Sequence, residues 1–281
     1  MIKGLWTAIV TPFKEGRLDE RGLRENLRFQ KENNVDGITA LGSTGESPTL
    51  THGECDRILE ICKEFYLPLM VGTGTNCTQT TIEKTTWAKE CGADFALIMT
   101  PYYNKPTQEG IYRHFMAVAD AVDIPIVVYN HPGRTGVNIK TETLKRMAAH
   151  PSVVAVKETS GDIDQASCVM REIPKLRVMS GDDNLTFPLM ALGAHGVISV
   201  SSNLIPHLMR ELVYSENARE LHFELIPFFD ATNIETNPIP IKAMMRMAGM
   251  AAGECRLPLC GPQPENEKKL QWLIETLTSR L

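Results

Sequence analysis

Lys157 closes the run Val153, Val154, Ala155, Val156, so an uninterrupted apolar stretch delivers an amine to the end of what reads as a strand. Burying an ammonium without a partner is costly, and desolvation lowers a lysine pKa by up to several units. A lysine so placed offers either a neutral amine, which is a nucleophile towards ketones, or one half of a salt bridge. Position alone leaves both open. Tyr129 stands at the end of the preceding apolar run, Pro125 to Asn130, where its phenol can approach that amine and shuttle a proton through neighbouring hydroxyls. Ser43 and Thr44, in the glycine-flanked loop Gly42 to Glu46, present hydroxyls and backbone N–H groups that suit a small carboxylate. Arg134 adds a guanidinium in the loop after Tyr129. Taken singly, a strand-end tyrosine packs a rim and a Gly-Ser-Thr-Gly stretch makes a turn. The convergence of all four types is what points to a site.

Elements must bring these residues together. Eight short runs rich in β-branched residues alternate with longer amphipathic stretches: 5–10, 36–41, 69–74, 95–100, 125–130, 153–158, 177–182 and 196–201. They are apolar on both faces, the pattern of parallel strands covered by helices. Asp19, Thr51 with Glu54, and Thr78 are expected as N-caps of the helices between them. The alternation predicts an α/β fold, a (β/α)₈ TIM barrel over residues 1–220 that carries the active site, with a C-terminal helical region over 221–281. Its clearest segments are 218–233 and 265–281. A doubly wound open sheet shows the same alternation, but the first strand leads into Thr11, Pro12 and Phe13 with no glycine fingerprint, and Gly72 to Cys77 lacks the third glycine of one.

In such a barrel the strand carboxyl ends carry the chemistry. They hold Thr11, the 42–46 loop, 72–76, Tyr102 to Asn104, Tyr129, Arg134, Lys157, Gly181 to Asp183 and 199–203. Metal-dependent chemistry would need ligands there, and of the histidines only His131 and His195 are expected near that rim, without ligand spacing. The chain of 281 residues is 43% hydrophobic and 22% charged, with a formal net charge of -5, which gives no basic footprint for nucleic acid or an anionic membrane. No apolar run approaches bilayer length. Seven cysteines without a C-x-x-C pair read as reduced thiols of a cytoplasmic protein.

The ordered set TPF (11–13), GSTGE (42–46), TPYYNKP (100–106), YNHPGRTG (129–136), VKE (156–158), SGDD (180–183), GVISVSSN (196–203) and NPIPIK (237–242) resembles the pyruvate-dependent class I aldolase family that includes dihydrodipicolinate synthase and N-acetylneuraminate lyase. The resemblance spans nearly the whole chain. It implies a Schiff base between Lys157 and pyruvate, with no cofactor beyond that covalent link and no metal. It makes Tyr129 the proton carrier and Thr44 its bridge to Tyr103, a tyrosine supplied by a neighbouring subunit, so that the site is complete only in an oligomer, a homotetramer built as a dimer of dimers. Main-chain groups of Ser43 and Thr44 would hold the pyruvate carboxylate, and Gly181 and Ile198 would line the lysine. Within the family, Arg134 and the tyrosine pair favour L-aspartate 4-semialdehyde as the second substrate, leading to diaminopimelate and lysine; a lyase acting on a sugar acid is the alternative. Two departures stand out. His52, Cys55 and Thr80 occupy positions where lysine-inhibited members place a glutamate and histidines, which implies weak or absent feedback inhibition by L-lysine. His131 stands where an aliphatic residue is more usual, and packing is its expected role.

Overall fold

In a computed structural model that describes residues 1–277, every one of the eight predicted runs coincides with or overlaps a parallel strand. We number these β1 (Gly4–Ala8), β2 (Gly37–Ala40), β3 (Leu69–Gly72), β4 (Phe95–Met99), β5 (Ile126–Asn130), β6 (Val153–Glu158), β7 (Arg177–Ser180) and β8 (Gly196–Ser199). They close into a barrel in which consecutive strands are neighbours and β1 adjoins β8, the (β/α)₈ architecture expected. The strands β1, β2 and β8 are buried along their whole length, which is why they read as continuous apolar runs rather than as alternation. A two-stranded hairpin, Phe13–Lys14 with Arg17–Leu18, was not foreseen; its strands are too short to leave a period.

Local chemistry sets the helix starts. The Asp19 side chain accepts from the Gly22 backbone N–H at the start of α1 (Glu20–Glu32), and Thr51 and Glu54 form a reciprocal capping box at the start of α2 (His52–Lys63). Each cap contributes about 1 kcal/mol by satisfying N–H groups that the helix cannot. The third expectation is off by one residue. The helix α3 (Thr78–Glu90) has Cys77 at its N-cap, and the Thr78 hydroxyl lies 2.9 Å from His114 Nδ1 instead of capping.

The chain divides into two compact units. One comprises Met1–Gly4 and Pro68–Ile198, with a core built from Ile98, Phe115, Val128, Met147, Val156 and Val178. The other comprises Leu5–Leu67 and the chain from Ser199 onward. In it the helices Ala218–Thr232, Ile239–Met247 and Pro264–Leu277 bury Phe228, Phe229, Ile241, Met244 and Leu270. The predicted segment 265–281 is helical as far as it is described; residues 278–281 lie outside the described residues. Among the described residues no helix is long and apolar enough to cross a membrane.

Candidate active site

In the first unit, β5 and β6 pair so that Tyr129 and Lys157 are register partners. Both are buried, at 7% and 6% exposure, and Lys157 Nζ lies 4.3 Å from the centroid of the Tyr129 ring. The salt-bridge reading of Lys157 fails on geometry. Its neighbour Glu158 faces the other way, as strand alternation requires, and is occupied there. Its carboxylate accepts from Asn130 Nδ2 at 3.1 and 3.2 Å, from the Ser160 backbone N–H at 2.8 Å and from Gln165 Nε2 at 3.3 Å. Among the described residues no carboxylate lies within ion-pair distance of Lys157 Nζ, so an amine is presented rather than consumed.

Gly181 follows β7 and leaves that amine its room. A Cβ there would overlap Thr159 Oγ1 and come within 2.9 Å of Lys157 Cε, so the position excludes any larger residue. Ile198 is fully buried on β8. Thr159, just past the end of β6, was not foreseen beside Lys157; its hydroxyl is buried and has no hydrogen-bond partner among the described residues. Nothing in a lone threonine after a lysine and a glutamate signals this, because only the approach of Gly181 brings it against the lysine.

Two further groups feel the amine. Burial pushes the Asp182 carboxyl up to about 6, with Asp183 and Glu158 adding to the rise and Lys157 opposing it. Burial holds the His131 ring down to about 4, with Arg134 and Lys157 contributing the same sign, so it is a neutral imidazole near pH 7. It packs against Tyr129 with ring centroids 5.7 Å apart. Arg134 sits on the short helix Pro132–Thr135 and is exposed. Tyr103 is 87% exposed, with a left-handed backbone at φ 72°. His195 does not lie at the carboxyl rim as expected. It precedes β8, where its Nδ1 accepts from the Val178 backbone N–H at 3.1 Å.

In the second unit the 42–46 loop follows β2. Ser43 is half-buried and Thr44 buried, and the Thr44 hydroxyl accepts from Asn237 Nδ2 at 3.0 Å. Glu46 adopts a left-handed conformation, φ 54°, and its carboxylate receives Lys242 Nζ at 2.6 Å and the Arg256 backbone N–H at 2.8 Å.

The model of the dihydrodipicolinate synthetase family matches residues 1–277. The chain belongs to that family. A 4-hydroxy-tetrahydrodipicolinate synthase of Protochlamydia amoebophila is 50% identical over 98% of this chain and 97% of its own. One of Methanocaldococcus jannaschii is 45% identical over 99% of each. Among solved structures, the dihydrodipicolinate synthase of Aquifex aeolicus superposes with a TM-score of 0.96 at 43% identity, covering 99% of this chain and 98% of that one.

Proposed function

We propose that this chain is a lyase, a 4-hydroxy-tetrahydrodipicolinate synthase, condensing pyruvate with L-aspartate 4-semialdehyde on the route to diaminopimelate and lysine. The observation that carries the reading is the buried Lys157 amine, 4.3 Å from the Tyr129 ring and without a counter-ion among the described residues. Its nitrogen attacks the keto carbon of pyruvate, water leaves, and the protonated imine acidifies the methyl group. Loss of a methyl proton gives an enamine, whose carbon attacks the aldehyde while the aldehyde oxygen takes up a proton. The amino group of the second substrate then adds to the imine carbon and displaces Lys157, closing the ring and freeing the enzyme. No cofactor or metal enters this sequence; the covalent imine is the electron sink.

In this reading Tyr129 moves the protons, and Thr44 links it to a Tyr103 contributed by a neighbouring subunit of a homotetramer, a dimer of dimers. The exposure of Tyr103 supports that donation. Ser43 and Thr44 main-chain groups hold the pyruvate carboxylate, Gly181 and Ile198 shape the lysine pocket, and Arg134 pairs with the carboxylate of the semialdehyde. The net charge of -5 and the absence of any membrane-length helix among the described residues support a cytoplasmic setting. Thr80, lacking a carboxylate for the ammonium of L-lysine, supports an enzyme whose rate is unchanged by L-lysine up to millimolar concentrations; strong inhibition below that would refute it.

The direct test is incubation with pyruvate and borohydride followed by intact mass and peptide mapping. A single reduced pyruvyl adduct on Lys157 is expected, and an unmodified protein removes the mechanism. Sedimentation velocity across a dilution series, paired with activity, tests the assembly.

A further inference from the structure

The segment Asn237 to Lys242 holds the 42–46 loop at two points within one unit. At its far end Lys242 is 1% exposed, and its Nζ donates to Glu46 Oε1 at 2.6 Å, to the Thr11 carbonyl at 3.1 Å and to the Glu254 carbonyl at 3.0 Å. That is the whole donor capacity of an ammonium, and it fixes the residue that ends the loop. At its near end Asn237 Nδ2 donates to Thr44 Oγ1 at 3.0 Å, and no other hydrogen bond to that hydroxyl is present among the described residues.

The sense of that bond matters. A hydroxyl has one proton to give and two lone pairs to receive with. An amide N–H₂ can only give, so Asn237 occupies a lone pair of Thr44 and leaves its proton directed elsewhere. A partner that accepted would take that proton instead. We propose that Asn237 is a positioning residue that sets the polarity of the Thr44 hydroxyl, occupying a lone pair so that the hydroxyl serves as a proton donor, while Lys242 and Glu46 keep the loop from shifting beneath it. The inference rests on the relay role given to Thr44 above. It gives the NPIPIK segment, which touches no reacting atom, a part in proton transfer.

The test uses an isosteric reversal. Asn237→Asp replaces the donating amide with an accepting carboxylate of the same shape. It should lower kcat about 100-fold, the size of a lost proton-transfer contribution, while the KM for pyruvate stays within about twofold and borohydride trapping on Lys157 still goes to completion. Asn237→Ala removes the donor without adding charge and should cost about tenfold, which covers the case in which the aspartate variant does not fold. In a Thr44→Val background, where there is no hydroxyl to orient, neither change should slow the enzyme by more than about twofold. Wild-type kcat in Asn237→Asp, or an equal loss with and without the Thr44 hydroxyl, overturns the role of Asn237 alone. Wild-type kcat in Thr44→Val itself overturns the relay and this inference with it.

Discussion

Lys157 and Lys242 are both lysines sealed inside the same chain, at 6% and 1% exposure, yet their surroundings differ in kind. Lys242 meets a carboxylate and two carbonyls, and Arg256 reinforces the same cluster by donating its backbone N–H to the other Glu46 oxygen. Burial pulls the Lys242 amine down and Glu46 pulls it back up. Lys157 has an aromatic face at 4.3 Å, a glycine where a side chain would crowd it, and no ion pair among the described residues. A buried charge whose hydrogen bonds are all met is a structural fixture, whereas a buried amine left with spare capacity is what the proposed Schiff base requires. The difference lies in what the neighbouring strands and loops bring, because each lysine follows a short apolar run in the sequence.

That contrast can be broken experimentally at four depths. Lys157→Ala should abolish turnover, by about 10⁴-fold or more, since the nucleophile itself is gone, while the melting temperature moves little because no paired group is orphaned. A large loss of stability in that variant would show that Lys157 is structural after all. Lys242→Met should do the reverse. It strands the Glu46 carboxylate in the interior and should cost about 3–5 kcal/mol in chemical denaturation, with Lys242→Met/Glu46→Gln recovering much of the loss. Arg134→Ala comes next. A charge-assisted bidentate pair contributes about 1.5–3 kcal/mol, so kcat/KM for L-aspartate 4-semialdehyde should fall about 10- to 150-fold, with pyruvate trapping intact. Unchanged turnover across an aldehyde panel would remove Arg134 from substrate recognition.

The smallest effect concerns the outer layer of the Lys242 cluster. Arg256 Nη2 lies 2.6 Å from Glu54 Oε1, and the guanidinium holds the Glu54 carboxyl down to about 2 from 4.5. A depressed folded-state pKa stabilises above the unfolded value and is lost as pH falls through the folded one, so this contribution is full above pH 4.5 and fades towards about 2. Glu54→Gln should therefore melt earlier than wild type at neutral pH, with the gap closing in acid and in high salt. A gap independent of pH would mean the pair is not what anchors Arg256.

Much of this was legible beforehand. All eight strands announced themselves, because a strand buried on both faces must be apolar throughout. The caps at Asp19 and Thr51 followed from the chemistry of orphan N–H groups. The shift from Thr78 to Cys77 arose where a tertiary contact, Thr78 to His114, outcompeted a local one. His195 was legible too: the run 196–201 already placed it before its strand, at the amino end, and the expectation of a rim position did not follow that register. The contacts of Thr159 and Asn237 were invisible for a common reason. Each matters only through a partner far along the chain, Gly181 for one and Thr44 for the other.

The sequence by itself determined the strand and helix alternation, hence the barrel, and with it the placing of Lys157, Tyr129 and the 42–46 loop at or just after strand ends. Those are properties of period and residue type, written locally. Tertiary structure alone decided that Glu158 is taken up by Asn130 and Gln165, that Glu46 is spent on Lys242, and that Asn237 donates to Thr44. Whether a buried polar group is satisfied depends on which other polar groups lie within about 3 Å of it, and chain neighbours seldom supply them.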